Sequence, residues 1–159
     1  MHWLRFLFTI LALCFFSGCS IPHINVYKDP LTPEEHFNLA VAYEQEGEYE
    51  GAIREYKAAS EDIPEAYYYL GNIYFTRGEY KSAEKNYKIA IRKLPNNPRA
   101  YNNLAWLYLT QGRKLKEAES LSSRAVELAP QEKSGTYRDT QDKIRQARGK
   151  EVSREKCKN

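Results

Sequence analysis

One pattern recurs three times along this chain and restricts its fold more than any other feature. It is a Leu, a small residue, two more positions and a Tyr; then Gly; then Ala-x-x-x-Tyr-x-x-Ala; then Pro. It reads Leu39, Ala40, Tyr43, Gly47, Ala52, Tyr56, Ala59, Pro64, and again Leu70, Gly71, Tyr74, Gly78, Ala83, Tyr87, Ala90, Pro95. The third copy is Leu104, Ala105, Tyr108, Gly112, Ala118, Ser122, Ala125, Pro130. Tyr43 to Tyr74 is 31 residues and Tyr74 to Tyr108 is 34. A period of that size belongs to solenoids, whose units cannot bury an apolar face alone and form a continuous core only by stacking. Such an architecture points to binding rather than catalysis.

The helices within each unit are legible. Thr32-Pro33-Glu34-Glu35 places Thr at an N-cap, Pro in the first turn and Glu three residues after the cap, the signature of a helix start. Pro64-Glu65 and Pro98-Arg99 open the next two units. Each first helix runs to a Gly (Gly47, Gly78, Gly112) suited to the left-handed conformation that ends a helix. Leu39, Ala40 and Tyr43 share one helical face, as do Leu70, Gly71 and Tyr74; Ala52, Tyr56 and Ala59 share a face of the second helix. The small residue beside each Leu allows the second helix to approach closely, and the Tyr between two Ala acts as a knob in that contact.

Taken together, residues 33–130 resemble the tetratricopeptide repeat family. The resemblance implies an all-α fold: a short right-handed solenoid of three helix-turn-helix repeats, 32–64, 65–97 and 98–130. The departures are specific. His36 stands where the family often has Trp, while Tyr67 and Tyr101 fill that place later. The first inter-repeat interval is three residues short. One residue is inserted after Gly112, in Arg113-Lys114-Leu115. Ser122 replaces an aromatic residue, from which a looser third pair is expected. Beyond Pro130, Tyr137, Ile144 and Ala147 form a thin apolar stripe on a polar segment, which predicts a capping helix over 131–148 of the kind a solenoid needs at its end. Residues 149–159 read as a disordered tail.

The amino terminus carries a second message. Arg5 precedes the apolar stretch Phe6–Phe16, too short to span a bilayer, which takes about 20 residues, and fitting a signal peptide over 1–18. Phe16-Ser17-Gly18-Cys19 resembles the lipobox of bacterial lipoproteins, which implies a diacylglyceryl (palmitate-type) modification of Cys19. A signal that merely contains a Cys and is cut by the ordinary peptidase, or is not cut at all, is the alternative. Ser20, rather than Asp, after Cys19 implies the outer membrane, facing the periplasm. Residues 19–31, with two prolines and no helical period, read as a tether.

In the tetratricopeptide family the first helices line a concave groove. Turned away from the core stripe here are Phe37, Val41 and Glu44; Tyr68, Tyr69, Asn72 and Phe75; and Arg99, Asn102, Asn103, Trp106 and Leu109. An unused solvent face is polar, so a row of aromatic residues marks a surface for another protein or peptide segment; packing of these rings on neighbouring first helices is the alternative. Asn72 and Asn103 could hydrogen-bond an extended peptide. Some family members clamp a terminal carboxylate with Lys and Asn; Asn72, Asn103 and Arg138 match parts of that clamp, but Tyr68 stands where Lys is expected. An apolar or aromatic partner segment fits better.

Other chemistries find little support. The net charge of +3 is too small to argue for nucleic acid. The three cysteines do not make a disulfide framework. His23 and His36 are the histidines beyond the signal, with no paired metal-ligand spacing and no Gly-rich phosphate loop. No cofactor, metal or small-molecule substrate is expected. A cryptic enzyme would have to use Cys157, which lies in a charged terminal segment without a neighbouring base. The expected function is a membrane-anchored interaction scaffold or assembly factor for an envelope complex, such as a type IV pilus or its secretin; the alternative is an adaptor for a cell-wall enzyme. Both are implied by resemblance alone.

Overall fold

The computed structural model describes residues 29–157. The expected signal peptide, Cys19 and most of the tether lie outside the described residues. Among the described residues there are seven α-helices and no strand: α1 (Pro33–Glu46), α2 (Tyr49–Ala59), α3 (Glu65–Thr76), α4 (Tyr80–Lys93), α5 (Pro98–Thr110), α6 (Leu115–Leu128) and, after a 3-10 turn at Gln131–Lys133, α7 (Ser134–Lys156). Three hairpins, α1–α2, α3–α4 and α5–α6, stack in sequence order, and α7 packs on α6 and α5.

Local chemistry sets the ends of these helices. Thr32 and Glu35 form a reciprocal capping box: Thr32 Oγ1 accepts from Glu35 N, and Glu35 accepts from Thr32 N at 2.8 Å. Asn97 caps α5 by accepting from Arg99 N. Gly47, Gly78 and Gly112 all have positive φ, at 78°, 74° and 58°. Each is followed by a residue whose N–H returns to the carbonyl of the repeat Tyr: Glu48 to Tyr43, Glu79 to Tyr74, Arg113 to Tyr108. This bond satisfies a carbonyl the helix would otherwise orphan. The residue inserted after Gly112 leaves Lys114 in the left-handed region at φ 52°, a conformation costing a side-chain-bearing residue about 1–2 kcal/mol.

The core forms two clusters. Ala40, Ala52, Tyr56, Ala59, Ala66, Leu70 and Ile73 build the first; Ala83, Tyr87, Leu104, Ala105, Leu107, Tyr108, Ala118 and Ile144 build the second. The close approach expected at the small positions is tightest at Gly71, where an added Cβ would lie 2.4 Å from the Tyr87 ring. Leu39 departs from expectation: Leu70 and Leu104 are buried, whereas Leu39 is half-exposed. The later Leu residues sit on helices that pack against a preceding hairpin; α1 has none among the described residues. The looser third pair expected from Ser122 is absent. Ser122 is fully buried, its hydroxyl donates to the Glu119 carbonyl at 2.9 Å, and Ala118 and Ala125 on the same helix are fully buried too.

The disordered tail expected from residue 149 is also corrected, because α7 continues to Lys156. Nothing after Ile144 breaks a helix: Lys, Glu and Arg are good formers, and Gly149 costs only about 1 kcal/mol relative to Ala. Ser153 Oγ donates to the Gly149 carbonyl. The helix is held by fully buried Ile144, by Gln141 Nε2 donating to Ser123 Oγ, and by ion pairs from Arg145 and Arg148 to Glu119. Arg138, Asp139 and Asp142 on the same helix are exposed. No described helix is long and apolar enough to cross a membrane.

Candidate functional site

The first helices of the hairpins present the residues expected to line the groove, and the packing divides them in two. Toward the amino-terminal end, the rings satisfy one another. Phe37 meets Tyr56 and Tyr69 edge-on, both at 5.4 Å between centroids. Tyr69 stacks on Tyr56 at 5.3 Å with an interplanar angle of 14°, and Tyr68 meets Tyr69 edge-on. The Arg99 guanidinium lies 4.9 Å from the Tyr68 ring centre. Val41 and Leu109 are half-buried against the two core clusters, and Glu44 accepts the Tyr56 hydroxyl at 2.7 Å. The rings of Phe37, Tyr68 and Tyr69 are engaged with one another while staying half-buried; aromatic pairs in such geometries favour each other by about 0.5–1.5 kcal/mol beyond area burial.

Between α3 and α5 the surface stays open. A hollow of about 210 Å³ is lined by Asn72, Phe75, Thr76, Tyr87, Asn103 and Trp106. Four of these, Asn72, Phe75, Asn103 and Trp106, are legible from the repeat pattern. Trp106 is 37% exposed, and among the described residues only Leu31 and Val152 are comparably exposed large apolar side chains.

The floor is hydrogen-bonded in one direction. Asn72 Oδ1 accepts twice, from Asn103 Nδ2 at 2.9 Å and from the Tyr87 hydroxyl at 3.0 Å. Burial, joined by the neighbouring Tyr68, holds the Tyr87 hydroxyl above its ordinary pKa, against a lowering contribution from Asn103, so it stays a donor. Asn72 Oδ1 thus spends its acceptor capacity inside the protein, while Asn72 Nδ2 donates to no group among the described residues. The hollow therefore suits a ligand that brings an acceptor together with an apolar side chain. Asn102 does not line it: its Nδ2 makes a long 3.4 Å contact to Asn103 Oδ1, and its Oδ1 is buried without a partner among the described residues.

Three contributors escape the sequence pattern. Thr76 lies one residue past Phe75. Tyr87 reads as core, yet a buried Tyr needs a partner for its hydroxyl, and that partner is the groove's Asn72. Lys143 comes from α7, with its Nζ 5.5 Å from the Trp106 ring centre. It lies one repeat length after Leu109, so extending the repeat register beyond Pro130 would have found it.

Elsewhere, polar groups lock the hairpins. Burial would raise the Glu84 carboxyl, but hydrogen bonds from Arg113, Lys88, Lys114 and Tyr108 outweigh it and hold the group well below the usual carboxylate range. Arg113 and Lys114 also lie over the Tyr108 ring at 5.0 and 4.8 Å. His36, in the place of an aromatic residue, is buried with Nδ1 2.7 Å from Glu55 Oε2, while Glu55 Oε1 accepts from Arg54. Among the described residues no cluster could hold a metal, and Cys157 is exposed.

Models of the tetratricopeptide repeat match residues 37–85 and 98–132, and a TPR-repeat model matches residues 71–112. This is a tetratricopeptide-repeat fold. The type III secretion translocator chaperone SycD of Yersinia enterocolitica is similar, with a TM-score of 0.65 and 26% identity over 73% of this chain and 85% of that one. SycD in complex with a peptide of the translocator YopD aligns at 25% identity and TM-score 0.65, covering 72% of this chain and 93% of the other. The first repeat domain of Spaghetti (RPAP3), bound to an HSP90 peptide, shares the fold at 21% identity and TM-score 0.66, over 78% and 98% of the two chains. No curated protein matches the sequence.

Proposed function

We propose that this protein is an envelope lipoprotein whose groove holds an extended segment of another protein, making it a scaffold or assembly factor for an envelope complex such as a type IV pilus or its secretin. The observation that carries the reading is the hollow between α3 and α5. It offers an exposed Trp106, an amide pair with an unspent donor, and space of about 210 Å³. The fold neighbours with a peptide bound support the mode of binding. Support for the anchor is the run Phe16-Ser17-Gly18-Cys19. A lipid on Cys19 would confine the groove to a membrane surface and raise its effective concentration for partners there.

The test is quantitative co-purification from crosslinked membranes with wild-type protein and a Trp106→Ala, Asn72→Ala double variant. The reading predicts that one protein or a small set is lost with the variant. The same set in equal amount from both would refute the groove assignment.

A further inference from the structure

We infer that the segment this groove takes is acidic, with an apolar side chain seated beside Trp106 and carboxylates following it along α7. The inference rests on the reading of the hollow as a segment-binding site and adds the partner's chemistry and direction.

A chain leaving the hollow toward α1 meets Tyr68, Tyr69 and Phe37, half-buried rings already packed on one another. Toward α7 it meets Lys143, already seated over the Trp106 ring. Lys150 and Arg154 lie seven and eleven residues further along the same helix. At 100° per residue both return to within about 20° of Lys143, so the three cations line one side of α7. On that side Ala147 falls between them and no carboxylate does.

Asp139 is already paired with Lys143 at 2.7 Å. Lys150 and Arg154 are exposed and, among the described residues, have no ion-pair or hydrogen-bond partner for their side chains. The pairing of Glu119 with Arg148 and of Ser123 with Gln141 fixes the antiparallel register of α6 and α7. The last turns of α7, from about Val152 onward, therefore run past the start of α6 at Leu115, beyond the point where Lys143 meets Trp106. From Lys143 to Arg154 is about 16 Å along the helix, the reach of roughly five extended residues. The partner's acidic residues are accordingly placed within about five positions of its apolar anchor.

The test is selection from a displayed library of random twelve-residue peptides on the full chain in neutral detergent, followed by affinity measurement on synthesised winners. Expected winners carry an apolar anchor with Asp or Glu within about five positions. Their affinity falls as salt rises, and it drops about tenfold in a Lys143→Glu, Lys150→Glu, Arg154→Glu variant. A Lys85→Glu, Arg92→Glu control on α4, with circular dichroism to verify folding, leaves binding unchanged. Enriched peptides without an acidic bias, or a triple variant that binds them as wild type does, overturn the inference and leave the groove reading standing. No enrichment above a Trp106→Ala control removes both. If the triple variant loses only its binding to phosphatidylglycerol vesicles, the cationic side faces lipid, and the inference is likewise overturned.

Discussion

Gly71 and Gly149 both lie inside helices, yet an added methyl group meets opposite surroundings. At Gly71 the new Cβ would stand 2.4 Å from the Tyr87 ring, which is buried and held by Asn72; at Gly149 nothing lies within 4 Å. Gly71→Ala is therefore expected to destabilise by about 1–3 kcal/mol through overpacking, and Gly149→Ala to stabilise by about 0.5–1 kcal/mol by narrowing the unfolded ensemble. Urea midpoints of the two variants check the opposite signs. Glu84 gives a pH prediction. Its folded pKa is depressed, so its contribution is present above the ordinary carboxylate value of about 4.3 and is lost as pH falls below it. Glu84→Gln is expected to cost about 1–3 kcal/mol at pH 7 and to flatten the loss of stability as pH falls below about 4.3, read from denaturation at a series of pH values. The close approach at Gly71 was legible because each repeat places a small residue beside its Leu. The fate of Phe37, Tyr68 and Tyr69 was not. Helical periodicity puts them on the groove side, but only the distance between neighbouring helices decides whether such rings meet each other or water.

At the scale of elements, the hairpins follow from caps and breakers that any single repeat displays. Thr32, Asn97 and the three turn glycines fix where helices begin and end. The carboxy-terminal helix was only half legible. Its stripe of Tyr137, Ile144 and Ala147 marks where it docks, and that stripe fades after Ala147, so periodicity gives no reason to extend the helix. What extends it is propensity together with anchorage upstream. Ile144 is fully buried in the second core cluster, and Ile144→Ala is expected to cost about 2–5 kcal/mol. Because Lys143 reaches the groove from the same turn, the variant should also weaken binding to the hollow. Thermal denaturation and peptide titration of the one variant separate the two effects.

At the scale of the whole molecule, the proposed lipid tether at Cys19 and the hollow between the second and third repeats are tested separately. The tether predicts that Cys19→Ala releases the protein from washed membranes while leaving the helical fold intact, measured by fractionation and circular dichroism. Retention of the variant in the membrane pellet would contradict the lipid anchor. The hollow carries the central claim, and a photo-crosslinking amino acid placed in intact cells reads it directly. Thr76 lines the hollow, and Lys85 stands exposed on α4. The account predicts discrete crosslinked products from position 76, abolished by Trp106→Ala, and none from position 85. Equal products from both positions, or products at 76 that survive loss of Trp106, would contradict it.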